Sequence, residues 1–249
     1  MKRIANIALW ILLTAWFAVM LGFVSSEGEK VLCKRIDVRM TDTLDSRFVR
    51  ERDVREALAA SGMDLQGYPL NEINARTLES LLEENPYVRK AEISKDVSGT
   101  MEVSIEQRVA LVRVMPEGHA GYYLDREGRV LPLSPSFSPR IVMATGHFPE
   151  PGEADPDSCL RELRIFTTYL SRNDFWNDQI VQIYRTSKGE YELVPRVGAH
   201  QILLGGMESW RRKLYNLELL YKQGLSTYGW NTYGTINLKY TNQVICTKR

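Results

Sequence analysis

The chain has 249 residues, 44% of them hydrophobic and 25% charged, with a formal net charge of +1. That apolar fraction is ordinary for a packed protein and argues against extended disorder. So small a net charge excludes a global field that would recruit nucleic acid.

Lys2 and Arg3 precede an uncharged apolar run of 21 residues, Ile4 to Val24. A helix rises about 1.5 Å per residue, so the run matches a bilayer core of roughly 30 Å. A cleaved secretory signal is the competing reading, with Val24-Ser25-Ser26 as a small-residue site. Signal cores run to about 15 residues, and this run is longer and includes Trp10, Trp16 and Phe17. It reads as an uncleaved anchor with Trp10, Leu12, Leu13, Trp16 and Phe17 in its core. Lys30, Lys34, Arg35 and Arg39 on the long side offset Lys2 and Arg3, so charge alone does not set the topology. Long domains cross largely regardless of charge. Residues 1–3 are therefore expected to form a cytoplasmic stub, 4–24 a transmembrane helix and 25–34 a juxtamembrane linker. The body is expected in the periplasm.

Ile36, Val38 and Met40 alternate with Asp37 and Arg39, which predicts a strand. Val49, Val54, Ala57 and Leu58 recur at helical spacing and stop at Ser61-Gly62. Asn71 is placed to cap a second helix with Ile73, Thr77, Leu78, Leu81 and Leu82 on its apolar face. Asn85-Pro86 ends it. Val88, Ala91, Ile93 and Val97 suggest a second strand, Ser98-Gly99 a turn, and Met101, Val103 and Ile105 a third strand. The order β-α-α-β-β occupies 35–108 and lets two amphipathic helices cover one face of a small sheet.

Residues 109–249 read as a mostly β unit with two helices. Val109, Leu111 and Val112 continue an extended run. Tyr122 to Leu124 and Val130-Leu131 flank Asp125-Arg126-Glu127-Gly128-Arg129 as a hairpin. Arg140 to Thr145 reads as a strand. Asp155-Pro156 is expected to start a helix whose face is Leu160, Leu163, Phe166 and Leu170. Val181 with Ile183 and Tyr191 with Leu193 form a hairpin about Lys188-Gly189, and His200 to Leu204 a further strand. Trp210, Leu214, Leu217 and Tyr221 share a helix face, with Gly224 at the position after its end. Thr235 to Tyr240 and Gln243 to Cys246 close the chain as strands.

Reactive constellations are scarce. His119 and His147 lie in loops and His200 starts a strand, with no pair at metal-ligand spacing. No G-x-S-x-G, P-loop or H-E-x-x-H occurs. Asp125 and Glu127 flank Arg126 in a turn and read as a solvated loop. Gly205-Gly206 reads as a strand-to-helix turn. The pairs Arg211-Arg212 and Lys248-Arg249 are too small for a nucleic-acid surface. Cys33, Cys159 and Cys246 are odd in number and widely spaced, with neither a disulfide framework nor a zinc pattern. They read as small buried hydrophobes, with a Cys159–Cys246 pair as the alternative. No catalytic residue, cofactor or small-molecule substrate is expected.

Asn85-Pro86-Tyr87-Val88-Arg89-Lys90-Ala91, followed by Ser104-Ile105-Glu106-Gln107-Arg108-Val109-Ala110 and by Asp125-Arg126-Glu127-Gly128-Arg129-Val130-Leu131, resembles the FtsQ/DivIB cell-division proteins. The resemblance covers nearly the full length. It implies an α+β protein with one anchor, a POTRA domain at 35–108 and a β domain at 109–249. It also implies a non-enzymatic divisome scaffold at the division septum. Such a scaffold binds FtsB- and FtsL-like bitopic proteins by strand addition and so helps control septal peptidoglycan synthesis. The stretch Ile236, Asn237, Leu238, Lys239, Tyr240 and Thr241 is similar to the family's partner-binding strand and is expected at a C-terminal sheet edge. Other divisome proteins at the POTRA domain are a further expectation. A POTRA-bearing transport or outer-membrane assembly component is the alternative, though 109–249 contains helices that do not suit a barrel.

Overall fold

A computed structural model describes residues 10–20, 31–41, 47–62, 65–153, 158–225, 227, 229–240 and 242–249. Residues 10–20 are helical, with Trp10, Leu12, Leu13, Trp16 and Phe17 exposed. The Thr14 hydroxyl donates back to the carbonyls of Trp10 and Ile11 at 3.0 and 2.9 Å. The rest of the apolar run and residues 1–3 lie outside the described residues. Among those described, no helix is long and apolar enough to cross a membrane.

The chain forms two compact units, Met1–Gln107 and Arg108–Arg249. The first contains β1 (Arg35–Met40), α1 (Glu51–Ala60), α2 (Ala75–Glu83), β2 (Val88–Lys95) and β3 (Thr100–Gln107), in sheet order β1-β3-β2. β1 runs parallel to β3 from Arg35 opposite Thr100 to Met40 opposite Ile105, and β2 is antiparallel to β3. Val54 and Leu58 of α1 and Leu78 and Leu82 of α2 are buried, as are Met101, Val103 and Ile105 of β3. The helical and strand periodicities thus meet on one face of the sheet. The cap of α2 is Asn74 rather than Asn71. Its side chain accepts from the Thr77 amide at 3.3 Å, the bond that satisfies an otherwise unpaired first-turn donor. Asn85 closes the other end by accepting from the Tyr87 amide at 3.0 Å. Val97 falls outside β2, in the turn before Gly99, and Gly99 takes a φ of +95° that only glycine adopts easily.

The second unit is one mixed sheet in the order β12-β11-β10-β9-β8-β7-β4-β5-β6. Its strands are β4 (Ala110–Pro116), β5 (Tyr122–Asp125), β6 (Val130–Pro132), β7 (Val142–Gly146), β8 (Ile180–Arg185), β9 (Tyr191–Pro195), β10 (Gln201–Gly205), β11 (Tyr233–Asn237) and β12 (Ile245–Lys248). Two parallel crossovers carry the helices. α3 (Cys159–Ser171) and α4 (Asp174–Gln179) link β7 to β8, and α5 (Trp210–Leu219) links β10 to β11. Leu163, Phe166, Trp176, Trp210, Leu214 and Leu217 join Val114, Ala144, Ile183, Leu193, Ile202, Leu204 and Ile236 in one core.

Three details differ from the sequence reading. The expected start at Asp155-Pro156 lies outside the described residues, and α3 begins at Cys159 after Ser158 at φ 55°. The short helix α4 has no counterpart in the periodicity. Asn173 caps it by accepting from the Trp176 amide at 3.1 Å, and fully buried Trp176 anchors it. Gly224 does not terminate α5. The chain continues as a π-helix, Leu220–Leu225, and it is Gly229 that takes a positive φ, +93°. All three cysteines are free, Cys33 and Cys159 buried and Cys246 half-buried.

Candidate functional site

Helix side chains of the first unit reach both of its sheet margins. β2 is an edge strand, yet its Ala91 amide donates to Glu83 Oε1 at 3.0 Å and its Ile93 amide to Glu79 Oε1 at 2.8 Å. Four residues of helix rise about 6 Å and two of strand about 6.7 Å, so an i, i+4 glutamate pair matches successive outward amides. Lys95 of the same strand reaches the Ile73 carbonyl. On the opposite margin Arg55 of α1 donates to the Ile36 carbonyl of β1 at 3.1 Å, while Glu51 holds the guanidinium at 2.7 Å.

The margins of the second unit differ. β6 has only three residues and ends at Pro132, which has no amide to offer. β12 pairs antiparallel with β11, Asn237 opposite Ile245 and Ile236 opposite Cys246, and among the described residues no strand pairs on its outer side. Ile245, Thr247 and Lys248 are exposed, whereas Cys246 packs against the core. The result is a short polar strand anchored by one side chain, with its outward backbone groups presented to solvent.

The strand singled out from the sequence is therefore not the edge. β11 lies between β10 and β12, with Ile236 and Leu238 buried. The Leu238 amide donates to the Leu203 carbonyl at 2.8 Å, and Asn237 Oδ1 accepts from the Lys239 amide at 2.9 Å. Lys239 Nζ pairs with Glu190 at 2.6 Å. Tyr240 is 53% exposed beside the turn into β12. Thr241 lies outside the described residues. The signal for the true edge was the shorter run Gln243 to Cys246, which needed a partner and had only one side of β11 left.

The remaining polar groups serve structure. Asp125 is not solvated. It is 2% exposed, its Oδ2 meets Arg108 at 3.1 Å, and its Oδ1 accepts from the Glu127 and Arg129 amides, both at 2.8 Å. Glu127 adds a second contact to Arg108 at 2.9 Å. Lys213 is buried, its ammonium held by the Leu204 and Gly206 carbonyls and Glu208 at 3.0, 2.9 and 3.0 Å. That ion pair holds the Glu208 carboxyl below its usual range. Gly205-Gly206 is indeed the strand-to-helix turn, with Gly205 at φ +75°. His200 is buried, its Nε2 2.7 Å from the Tyr221 hydroxyl, and burial pushes its pKa down. His119 and His147 face Glu150 and Glu117 on the surface. A cleft of about 610 Å³ is lined by Arg140, Asn177, Asp178 and Arg196 among others. Its one carboxylate sits opposite arginines, not opposite a second acid. Among the described residues no three His, Cys, Asp or Glu side chains gather as metal ligands.

The family model for "FtsQ/DivIB, C-terminal related" matches residues 110–247. A model for a POTRA-like domain matches residues 31–106. The chain is also similar to a cell division protein FtsQ of Rhodothermus marinus, 26% identical over 205 residues, covering 79% of this chain and 73% of the relative.

Proposed function

This chain belongs to the FtsQ/DivIB family, with a role in cell division, and from that premise we propose that it is a non-enzymatic scaffold of the divisome. In this reading the apolar run 4–24 anchors it in the cytoplasmic membrane by a single span. The POTRA-like unit and the β unit then stand outside the cytoplasm at the septum. Its partners are bitopic, FtsB- and FtsL-like proteins, and their recruitment helps control septal peptidoglycan synthesis. One observation carries the reading: among the described residues nothing pairs with the outer side of β12, whereas Glu79 and Glu83 bond two outward amides of β2, Arg55 bonds a carbonyl of β1, and β6 is short and ends in proline. An incoming strand gains main-chain hydrogen bonds there at little cost in reorganisation.

Photo-crosslinking tests it. A photoreactive residue at Thr247 is expected to capture a small bitopic division protein from dividing cells, and one at Arg89 of β2 is not. Capture of such a partner from Arg89 alone would reverse the assignment of the margin. Absence of any division protein from either site would remove the scaffold reading.

A further inference from the structure

Three exposed apolar side chains gather at one end of the first unit. Leu32 is 46% exposed, Tyr68 40% and Val97 88%. They come from three segments that the backbone ties together. Leu32 bridges Pro69, the Cys33 amide donates to the Tyr68 carbonyl at 2.8 Å, and the Gly67 amide donates to the Cys33 carbonyl at 2.7 Å. The Lys34 amide donates to the Gly99 carbonyl at 2.8 Å, which brings in the turn that displays Val97. A Cβ at Gly99 would stand 2.7 Å from the Leu32 carbonyl, so the turn and the entering chain are in contact. Lys34 and Arg35 are exposed beside them. Asp96 is the acidic group of the same turn, its carboxyl held below the usual range by the Ser98 hydroxyl.

This is also the end at which the chain enters from the apolar run. Only residues 25–30 separate Val24 from Val31, and that length reaches at most about 25 Å when fully extended. β3 then leads away from this end, roughly 25 Å to Gln107. We propose that the end of the first unit carrying Leu32, Tyr68 and Val97 rests on the bilayer surface into which the apolar run inserts. The inference depends on the anchor reading above and adds to it a second, interfacial contact. A tyrosine with an apolar body and polar tip, flanked by leucine, valine and basic side chains, has the chemistry of the headgroup boundary. Lys34 and Arg35 favour anionic lipid, and Asp96 keeps that preference modest. The contact would hold the unit at a fixed height and orientation, where a lone flexible tether would let it swing.

The test uses the full chain, with Cys33, Cys159 and Cys246 replaced by alanine, in nanodiscs of phosphatidylcholine and phosphatidylglycerol. A nitroxide is placed by Val97→Cys, by Tyr68→Cys, or by Glu84→Cys at the opposite end of β2. Labels at 97 and 68 are expected to collide several-fold more with oxygen, relative to a water-soluble nickel chelate, than the label at 84. Equal aqueous exposure of all three in a disc-bound chain overturns the proposal and leaves the anchor standing. A chain that does not associate with discs overturns both. If the alanine replacements prevent folding, hydrogen exchange of the unsubstituted chain decides. Amides of 66–68 and 96–99 are expected to exchange several-fold more slowly in discs than in amphipol, and equal rates overturn the proposal.

Discussion

β2 and β12 both end a sheet, and the molecule treats them in opposite ways. β2 belongs to a three-stranded sheet beside a helix whose Glu79 and Glu83 accept from its outward amides. β12 ends a nine-stranded sheet, and among the described residues no side chain of a helix is seen to bond its outward amides. The difference teaches where recruitment can occur without damage. An uncapped margin on a three-stranded sheet would invite self-pairing with little core to resist rearrangement. A margin hung on a large core can stay open, because Ile236 and Cys246 hold it in register.

The largest test separates the core from the margin. Asp125→Ala leaves buried Arg108 with only the more exposed Glu127 and takes the acceptor from the Glu127 and Arg129 amides, and is expected to cost about 3 kcal/mol, read by urea unfolding. Asp125 lies on β5, far along the sheet from β12, so the folded fraction is expected to keep partner capture at Thr247. Loss of capture from molecules shown to be folded would mean that the margin depends on the whole sheet. The next test unseals β2. Glu79→Ala with Glu83→Ala is expected to cost about 1–2 kcal/mol, and to produce concentration-dependent association in sedimentation velocity. A double variant that stays monomeric at every concentration would show that the glutamates are not the seal.

The third uses pH. Burial depresses the folded-state pKa of His200, so the unfolded chain binds its proton more readily. Stability is therefore full above the ordinary histidine value and falls as pH drops through it. His119, His147 and His200, all the histidines of the chain, lie in the second unit. His200 sits beside the end of β12, where Arg249 reaches the Ala199 carbonyl and opposes its protonation. The urea midpoint of the second unit is expected to fall between pH 7.5 and 5.5, and His200→Gln to flatten that dependence. The smallest effect belongs to Lys239→Ala. Its ion pair with Glu190 is largely solvated, worth less than about 1 kcal/mol. A loss of partner capture much larger than the loss of stability would show that Lys239 touches the partner.

What the sequence displayed, and what it hid, follows the range of the interactions concerned. The β-α-α-β-β order at 35–108 rests on local periodicity, and Leu78, Leu82, Val103 and Ile105 appear where alternation puts them. The hairpins about Gly128 and Gly189 were visible for the same reason, since turn chemistry lies within a few residues. Asn71 was mistaken for Asn74 because both can cap, and only the amide of Thr77 chooses between them. Asp125 looked solvated because its partner Arg108 lies 17 residues upstream. Gly224 resembles a helix end because glycine permits one, but the chain continues there as a π-helix with Tyr221 and Leu225 buried. The place of β11 inside the sheet stays hidden for the deepest reason. Alternation at Ile236 and Leu238 reveals a strand but not its neighbours, and the parallel pairing of β10 with β11 depends on a crossover through α5.

That crossover also orders events in time. β11 reaches β10 through a crossover that contains α5, and β12 pairs with β11, so the open margin needs the chain through β11 to be in place first. Domains generally assemble as the polypeptide emerges from its amino-terminal side, at about 5–20 residues per second. In that order β12 takes shape after β11, well behind the first unit. Under the scaffold proposal, a partner that meets the molecule before β11 is in place finds no strand to pair with, so completion of the fold licenses assembly.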